Sequence, residues 1–258
     1  MRDSLLYVTG ENRGIIHEQS APYIESLDKK ITEYMQRLEN FEARCNKSDA
    51  NEEQLLAEII MINDAMLHTC AQFEQHINDS HAIRTAQRYF REKTNQILSK
   101  SYCINRCRVW PRGQQGDFET IEIAYRNRPL SQGIGFYLDK YFLSLPIAIG
   151  IRERITTLRT ILEEELKTRN TPKILNIGCG SCREVFDLAM EIQSSQAKYT
   201  CIDISPEALN FALDRFSSAG LLSDNVEFFT YNPLKLFDYE AAVRRIRNAR
   251  YYLQYHLL

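Results

Sequence analysis

Nowhere in the 258 residues is there an apolar run of about 18, the length a spanning helix needs, and the opening MRDSLLYVTG carries no apolar leader. The expectation is a soluble, cytoplasmic protein with no membrane span. Charge of one sign is missing too: 32 Lys and Arg stand against 34 Asp and Glu, for a net charge of −2, and a split at Asn170 leaves both parts near neutral. Composition therefore gives no case for nucleic acid, an anionic membrane or an acidic partner as the main ligand. Nor are the cysteines a secreted disulfide framework. Cys45, Cys70, Cys103, Cys107, Cys179, Cys182 and Cys201 are odd in number and scattered, which reads as reduced thiols used as small apolar groups. Glycine and proline are scarce up to about Lys100, so little in that stretch interrupts a helix.

What fills that stretch has helical spacing. Ile24, Leu27, Ile31, Tyr34, Leu38 and Phe41 recur three or four apart among charges and share one helix face. Leu55, Leu56, Ile59, Ile60, Ile62, Met66, Leu67, Cys70, Phe73 and Ile77 predict a second helix, the most buried of the first half. Asp79 or Ser80 can cap a third, carrying Ile83, Tyr89, Phe90, Ile97 and Leu98. No heptad is sustained, so an intramolecular bundle is expected rather than a coiled-coil surface.

Around Cys103 the texture changes. Trp110, the only tryptophan, precedes Pro111, Gly113 and Gly116, which predicts an ordered loop before a short helix from about Asp117. Two helices follow, one with Ile134, Phe136, Tyr137, Tyr141 and Phe142, the other from about Ala148 to Lys167. From Thr171 the runs KILNIG, YTCIDI and VEFFTY alternate with the helical DLAMEI and ALNFALDRF, a β-α-β-α-β pattern that implies a parallel sheet with right-handed crossovers. The expected fold class is α/β, a helical N-terminal region followed by a Rossmann-like parallel sheet with three strands in the order 3-2-1. The expected domains are 1–170, helical with a loop near 103–117, and 171–258, a partial sheet domain ending in a helix.

The stretch ILNIGCGSCREV, Ile174 to Val185, admits three readings. Cys179-Gly180-Ser181-Cys182 has the CxxC spacing of a redox site at a helix start, but that accounts for four residues only. Cys103, Cys107, Cys179 and Cys182 have tolerable zinc spacings, yet the second pair lies where a glycine turn needs its backbone free. The third reading takes in more residues. Gly178 and Gly180 let the chain turn sharply from strand to helix and let a ligand approach the backbone. Asp203 ends the next strand, where an acid accepts hydrogen bonds from ribose hydroxyls, and Ser205-Pro206 starts a capped helix. A dinucleotide fingerprint would need glycine where Arg183 stands, so nicotinamide dinucleotides are disfavoured.

With these residues the stretch 171–237 resembles the class I S-adenosylmethionine-dependent methyltransferases. Gly178 and Gly180 match their first motif, which departs at Asn176, usually an acid, and at Cys182, usually a third glycine. Asp203 matches the family's ribose acid. Asn232 matches the residue that holds the adenine amine, with an amide in place of the common aspartate. The resemblance implies S-adenosylmethionine as cofactor, held by Gly178, Cys179, Gly180, Asp203, Ile204 and Asn232, and a small-molecule substrate. More narrowly, WPRGQQGDFETIE, GIGFYLDKYF and IRERITTLRTILEEEL resemble a bacterial methyltransferase group associated with 3-hydroxypalmitic acid methyl ester biosynthesis. That resemblance implies a fatty-acid carboxylate among the candidate acceptors.

Methyl transfer from a sulfonium is an in-line displacement that needs alignment and dryness more than a protein nucleophile, and the sequence assigns no catalytic residue. Arg112, Asp117, Glu119 and Tyr137 are candidates for a cover over the cofactor. The tail DYEAAVRRIRNARYYLQYHLL reads as an amphipathic helix with Val243, Ile246, Tyr252 and Leu253 on one side, and no fourth strand is evident. Strand one is then an open edge. A fragment of a longer enzyme is expected, or a homo-oligomer, partner chain or the final helix covering that edge. The alternative from another class is a non-catalytic interaction protein with a remnant methyltransferase half-sheet.

Overall fold

The computed structural model describes residues 21–46, 51–77, 79–113, 116–221, 224–232, 234 and 250–251. They form two compact units, each of which has its own core.

The first unit holds the described residues up to Val109 together with Arg128–Ser144. Its long helices are α1 (Ala21–Cys45), α2 (Glu52–His76) and α3 (Ser80–Leu98). The stripe expected on α1 is buried from Leu27 through Phe41, packed against Leu55, Ile59, Ile62 and Met66 of α2 and Ile97 and Leu98 of α3. Asn51 caps α2, its side chain accepting from the amides of Glu53 and Gln54; Asp79 caps α3 by accepting from those of His81 and Ala82. Buried Asn63 is satisfied on both sides, accepting from Tyr34 Oη at 2.8 Å and donating to the Ile59 carbonyl at 2.7 Å. α2 buries Leu55, Ile59, Ile62, Asn63, Met66 and Phe73 and leaves Met61 and Leu67 in solvent. One expectation is corrected. Tyr102–Val109 is a helix, α4, not part of a loop; Cys103 and Arg106 supply its buried side.

Asp139, on α6 (Ile134–Ser144), organises the rest of this unit. Its fully buried carboxylate accepts from Ser101 Oγ at 2.6 Å, Cys103 N at 3.1 Å and the amides of Leu130 and Ser131 at 2.9 Å. Four donors from two chain segments thus converge on one anion, the arrangement that makes a buried charge tolerable.

The second unit comprises Trp110–Asn127 and the described residues from Leu145 on. It does not divide from the first at residue 170, as the sequence suggests, because α5 (Phe118–Arg126) packs on α7 (Pro146–Thr168), and α7 on the helices that follow the first strand. Strands β1 (Lys173–Ile177), β2 (Lys198–Asp203) and β3 (Val226–Thr230) are parallel in the order 3-2-1, with Leu175 opposite Thr200 and Cys201 opposite Phe228. Between them lie α8 (Arg183–Asp187), α9 (Ala189–Ser195) and α10 (Pro206–Ser218). Period-two alternation sorts the strand residues. Ile174, Tyr199 and Cys201 join the larger cluster with Leu162, Val185, Ile192 and Phe216, while Leu175, Ile177 and Ile202 form a smaller one with Tyr231.

One expectation about the sheet is corrected. A short fourth strand, β4 (Arg250–Tyr251), pairs parallel with β1, Ile174 opposite Arg250 and Leu175 opposite Tyr251, giving the order β3-β2-β1-β4. A two-residue strand is too short to show alternation, and the apolar spacing of the tail masks it. The expected tail helix otherwise lies outside the described residues. Among the described residues, no single helix is long and apolar enough to cross a membrane.

Candidate functional site

The strand order reverses at β1, between β2 and β4, and ligands of open parallel sheets bind at such a reversal, beyond the carboxyl ends of the strands. The glycine turn occupies that place. Gly178 at φ +64 and Gly180 at φ +53 adopt the left-handed backbone that glycine enters without penalty. Cys179 N donates to the Ile202 carbonyl at 3.1 Å, tying the turn to β2, and Cys182 N donates to the Cys179 carbonyl at 2.8 Å, closing it. Cys182 also sits at φ +49, so a side chain is carried where the related motif has its third glycine.

Asp203 lies beside the turn. Its Oδ2 accepts from Gly180 N and its Oδ1 from Ser205 N, both at 2.8 Å. Ser205 in turn caps α10, its Oγ accepting from Ala208 N at 3.2 Å, with Pro206 opening the helix. Ile204 is 58% exposed just past β2, an apolar side chain held at the strand ends. Asn232, half-buried beyond β3, accepts from Leu234 N at 3.0 Å through Oδ1. The sequence-derived residues Gly178, Cys179, Gly180, Asp203 and Ile204 thus gather at the ends of β1 and β2, and Asn232 follows the end of neighbouring β3.

The remaining candidates separate. Arg112, Asp117 and Glu119 come together at the start of α5: Arg112 Nη1 donates to Glu119 Oε2 at 2.7 Å and Asp117 Oδ2 at 3.4 Å, and its guanidinium lies 4.6 Å from the Phe118 ring centre. Asp117 is buried and caps α5 by accepting from Thr120 N at 2.9 Å. Tyr137 belongs to the helical unit, edge-on to Phe41 with ring centres 5.3 Å apart, because α6 turns that face into the bundle core.

Two buried carboxylates escaped the sequence reading. Glu184 of α8 faces Asn176 of β1, whose Nδ2 donates to Oε1 at 2.5 Å. The acid that the related motif carries at position 176 is absent from the strand, and a carboxyl group from the following helix meets the amide found there. Burial pushes Glu184 up to about 7, against the pull of its backbone and Asn176 hydrogen bonds. Asn176 Oδ1 has no hydrogen-bond partner among the described residues. The second acid, Glu122, sits on the buried face of α5 and reaches the turn itself. Its Oε2 accepts from Ser181 Oγ at 2.8 Å, and its Oε1 lies 3.1 Å from Arg183 Nη1 and 2.7 Å from Arg215 Nη2. Burial raises its proton affinity, but Arg215, Ser181 and Arg183 outweigh that and hold it below the usual carboxylate range. One signal could have found it: Glu122 interrupts the stripe Phe118, Ile121, Tyr125 at a position with core spacing.

Cys179, Cys182 and Cys201 are all buried beneath the turn. Burial pushes the Cys179 and Cys182 thiols up, opposite to the exposed, low-pKa thiol that CxxC redox chemistry uses. Cys103 lies in the helical unit, its thiol pushed up by burial and by Asp139.

Residues 175–245 match a family model described as a methyltransferase domain. The match supports a class I S-adenosylmethionine-dependent methyltransferase domain over that stretch, and family members of this kind generally use S-adenosylmethionine. No curated protein matches the chain. Among solved structures, a possible exported protein from Bordetella parapertussis is similar at 17% identity with a TM-score of 0.43, over 86% of this chain. The chain spans 59% of the length of that protein.

Proposed function

We propose that the chain is an S-adenosylmethionine-dependent methyltransferase, or the donor-binding part of one, acting on a small molecule such as a fatty-acid carboxylate. One observation carries the reading: a glycine turn whose Gly180 amide is bonded to the acid ending the adjacent strand, at the point where the sheet order reverses. The family match over residues 175–245 supports it independently.

The residues fit the donor. Two glycines leave the turn without side chains where a ligand would approach the backbone. Each Asp203 oxygen accepts one backbone N–H and keeps a second lone pair for a ribose hydroxyl. Exposed Ile204 offers an apolar face to adenine, and the Asn232 amide oxygen has a second lone pair for the adenine amine. The donor supplies an electrophilic methyl group on a sulfonium. The protein's work is to hold it in line with the acceptor and exclude water. A carboxylate acceptor is already a nucleophile and needs no general base. The resemblance to the 3-hydroxypalmitic acid methyl ester group supports this acceptor class.

Calorimetric titration with S-adenosylhomocysteine tests the reading. The wild-type chain is expected to bind, and Asp203→Ala to weaken binding by at least about 1.5 kcal/mol, the scale of hydrogen bonds to a charged acceptor. A folded wild-type chain that gives no binding heat would overturn the proposal and favour the non-catalytic alternative.

A further inference from the structure

The geometry points to Glu122 as a positioning residue for the donor site, acting through the glycine turn on Asp203. The inference deepens the methyltransferase reading and rests on it. What is new is that the control comes from α5, a helix outside the matched stretch 175–245.

The relay can be followed bond by bond. Glu122 Oε2 holds Ser181 Oγ at 2.8 Å. Ser181 is joined by one peptide bond to Gly180, whose N–H points at Asp203 Oδ2 at 2.8 Å. Fixing Ser181 therefore restrains the peptide next to the one that orients the Asp203 carboxylate. The other Glu122 oxygen, Oε1, lies against Arg183, the first residue of α8, and Arg215 of α10, whose Nη1 donates to the Ser181 carbonyl at 3.4 Å. Arg183 also pairs with Asp187 at 3.0 Å, and Arg215 lies over the rings of Phe211 and Phe186. Both arginines are thus held from a second side, and Glu122 is where their restraints meet the turn. One helical turn earlier, a Cβ on Gly180 would come 3.6 Å from Phe118 Cβ, so α5 lies in van der Waals reach of the turn as well. Gly180 alone could adopt many backbone conformations; the contacts from α5 select one. A carboxylate suits this role better than an amide, because it satisfies a hydroxyl and two guanidinium groups at once.

The test uses the full chain, with S-adenosylhomocysteine as probe, well below the melting temperature. Glu122→Gln and Ser181→Ala are each expected to weaken binding about tenfold. The Glu122→Gln effect should shrink to less than about threefold in an Asp203→Ala background, since coupled residues are not additive. A residue that merely braced α5 would lower the melting temperature and leave affinity and coupling unmoved. Hydrogen–deuterium exchange without ligand is the second readout: amides of residues 179–182 should exchange faster in Glu122→Gln. Wild-type binding with both variants within about twofold would overturn the inference and leave the methyltransferase reading standing. No binding by the folded wild type would sink that reading, and unchanged exchange at the turn would sink the positioning role on its own. Should Glu122→Gln not fold, Ser181→Ala, which removes a single hydroxyl, decides by the same two measurements.

Discussion

Glu184 shows what one residue can impose on this protein. Its carboxyl group is buried with an amide as its side-chain partner, while Asp187 and Cys201 nearby add to the cost of ionising it. With the folded value raised from 4.5 to about 7, the sign follows. The folded state holds the proton more tightly than the unfolded chain, so the stability linked to this group is fully present below pH 4.5 and is lost as pH rises through about 7. The loss amounts to about 3 kcal/mol. Glu184→Gln keeps an acceptor for Asn176 and removes the titration. Urea midpoints of wild type and variant should agree near pH 4.5 and diverge by pH 8, with the variant more stable; parallel profiles would show that Glu184 stays ionised and solvated. Glu184 was not legible as a buried acid, and Glu122 only through its place in the α5 stripe, since periodicity places an element's apolar face and says nothing of which carboxylate a neighbouring element can neutralise.

At the scale of elements, legibility followed the strength of the local pattern. The strands β1 to β3 were readable because four- to six-residue apolar runs bounded by turn residues have few other uses, and the caps at Asp79, Asp117 and Ser205 fell where short polar side chains precede helical spacing. α4 was not readable: eight residues with two cysteines and two arginines carry no clear stripe, and it is held by tertiary hydrogen bonds. Asp139 supplies them. Its carboxyl lies below the usual carboxylate range because its four hydrogen bonds outweigh burial. The linked stability is therefore in place above the unfolded value of about 3.9 and lost as pH falls through the lower folded one. Asp139→Asn should cost at least about 2 kcal/mol by setting an amide N–H against backbone donors. Chemical denaturation at pH 7 followed by circular dichroism measures it, and a change below about 0.5 kcal/mol would show the hub to be dispensable.

For the whole molecule, the informative fact is where the chain changes unit. Residues 110–127 fall between two pieces of the helical unit in sequence yet belong to the unit that carries the sheet. A boundary drawn at residue 170 follows the change from helices to strands, whereas packing follows contacts that composition does not reveal. The two separate cores make a prediction. Leu38→Ala removes a fully buried side chain from the helical unit and should cost about 2 to 5 kcal/mol. Below the melting temperature it should leave S-adenosylhomocysteine affinity within about twofold, because Leu38 belongs to the core of the other unit. A tenfold loss of affinity in the folded variant would instead make the helical unit part of the donor site.

The short strand β4 has a consequence in time. β1 can find β2 across two brief helices, and β2 can find β3 across α10, but Ile174 meets Arg250 only after nearly the whole sheet unit has been gathered in. Contacts between residues so far apart in sequence pay the largest loop-closure entropy and form slowly. The β1–β4 flank of the reversal point is thus expected to assemble after β1–β2 and β2–β3. Pulse-labelled hydrogen exchange during refolding would read that order as amide protection that comes later at the β1–β4 pairing than at the other two.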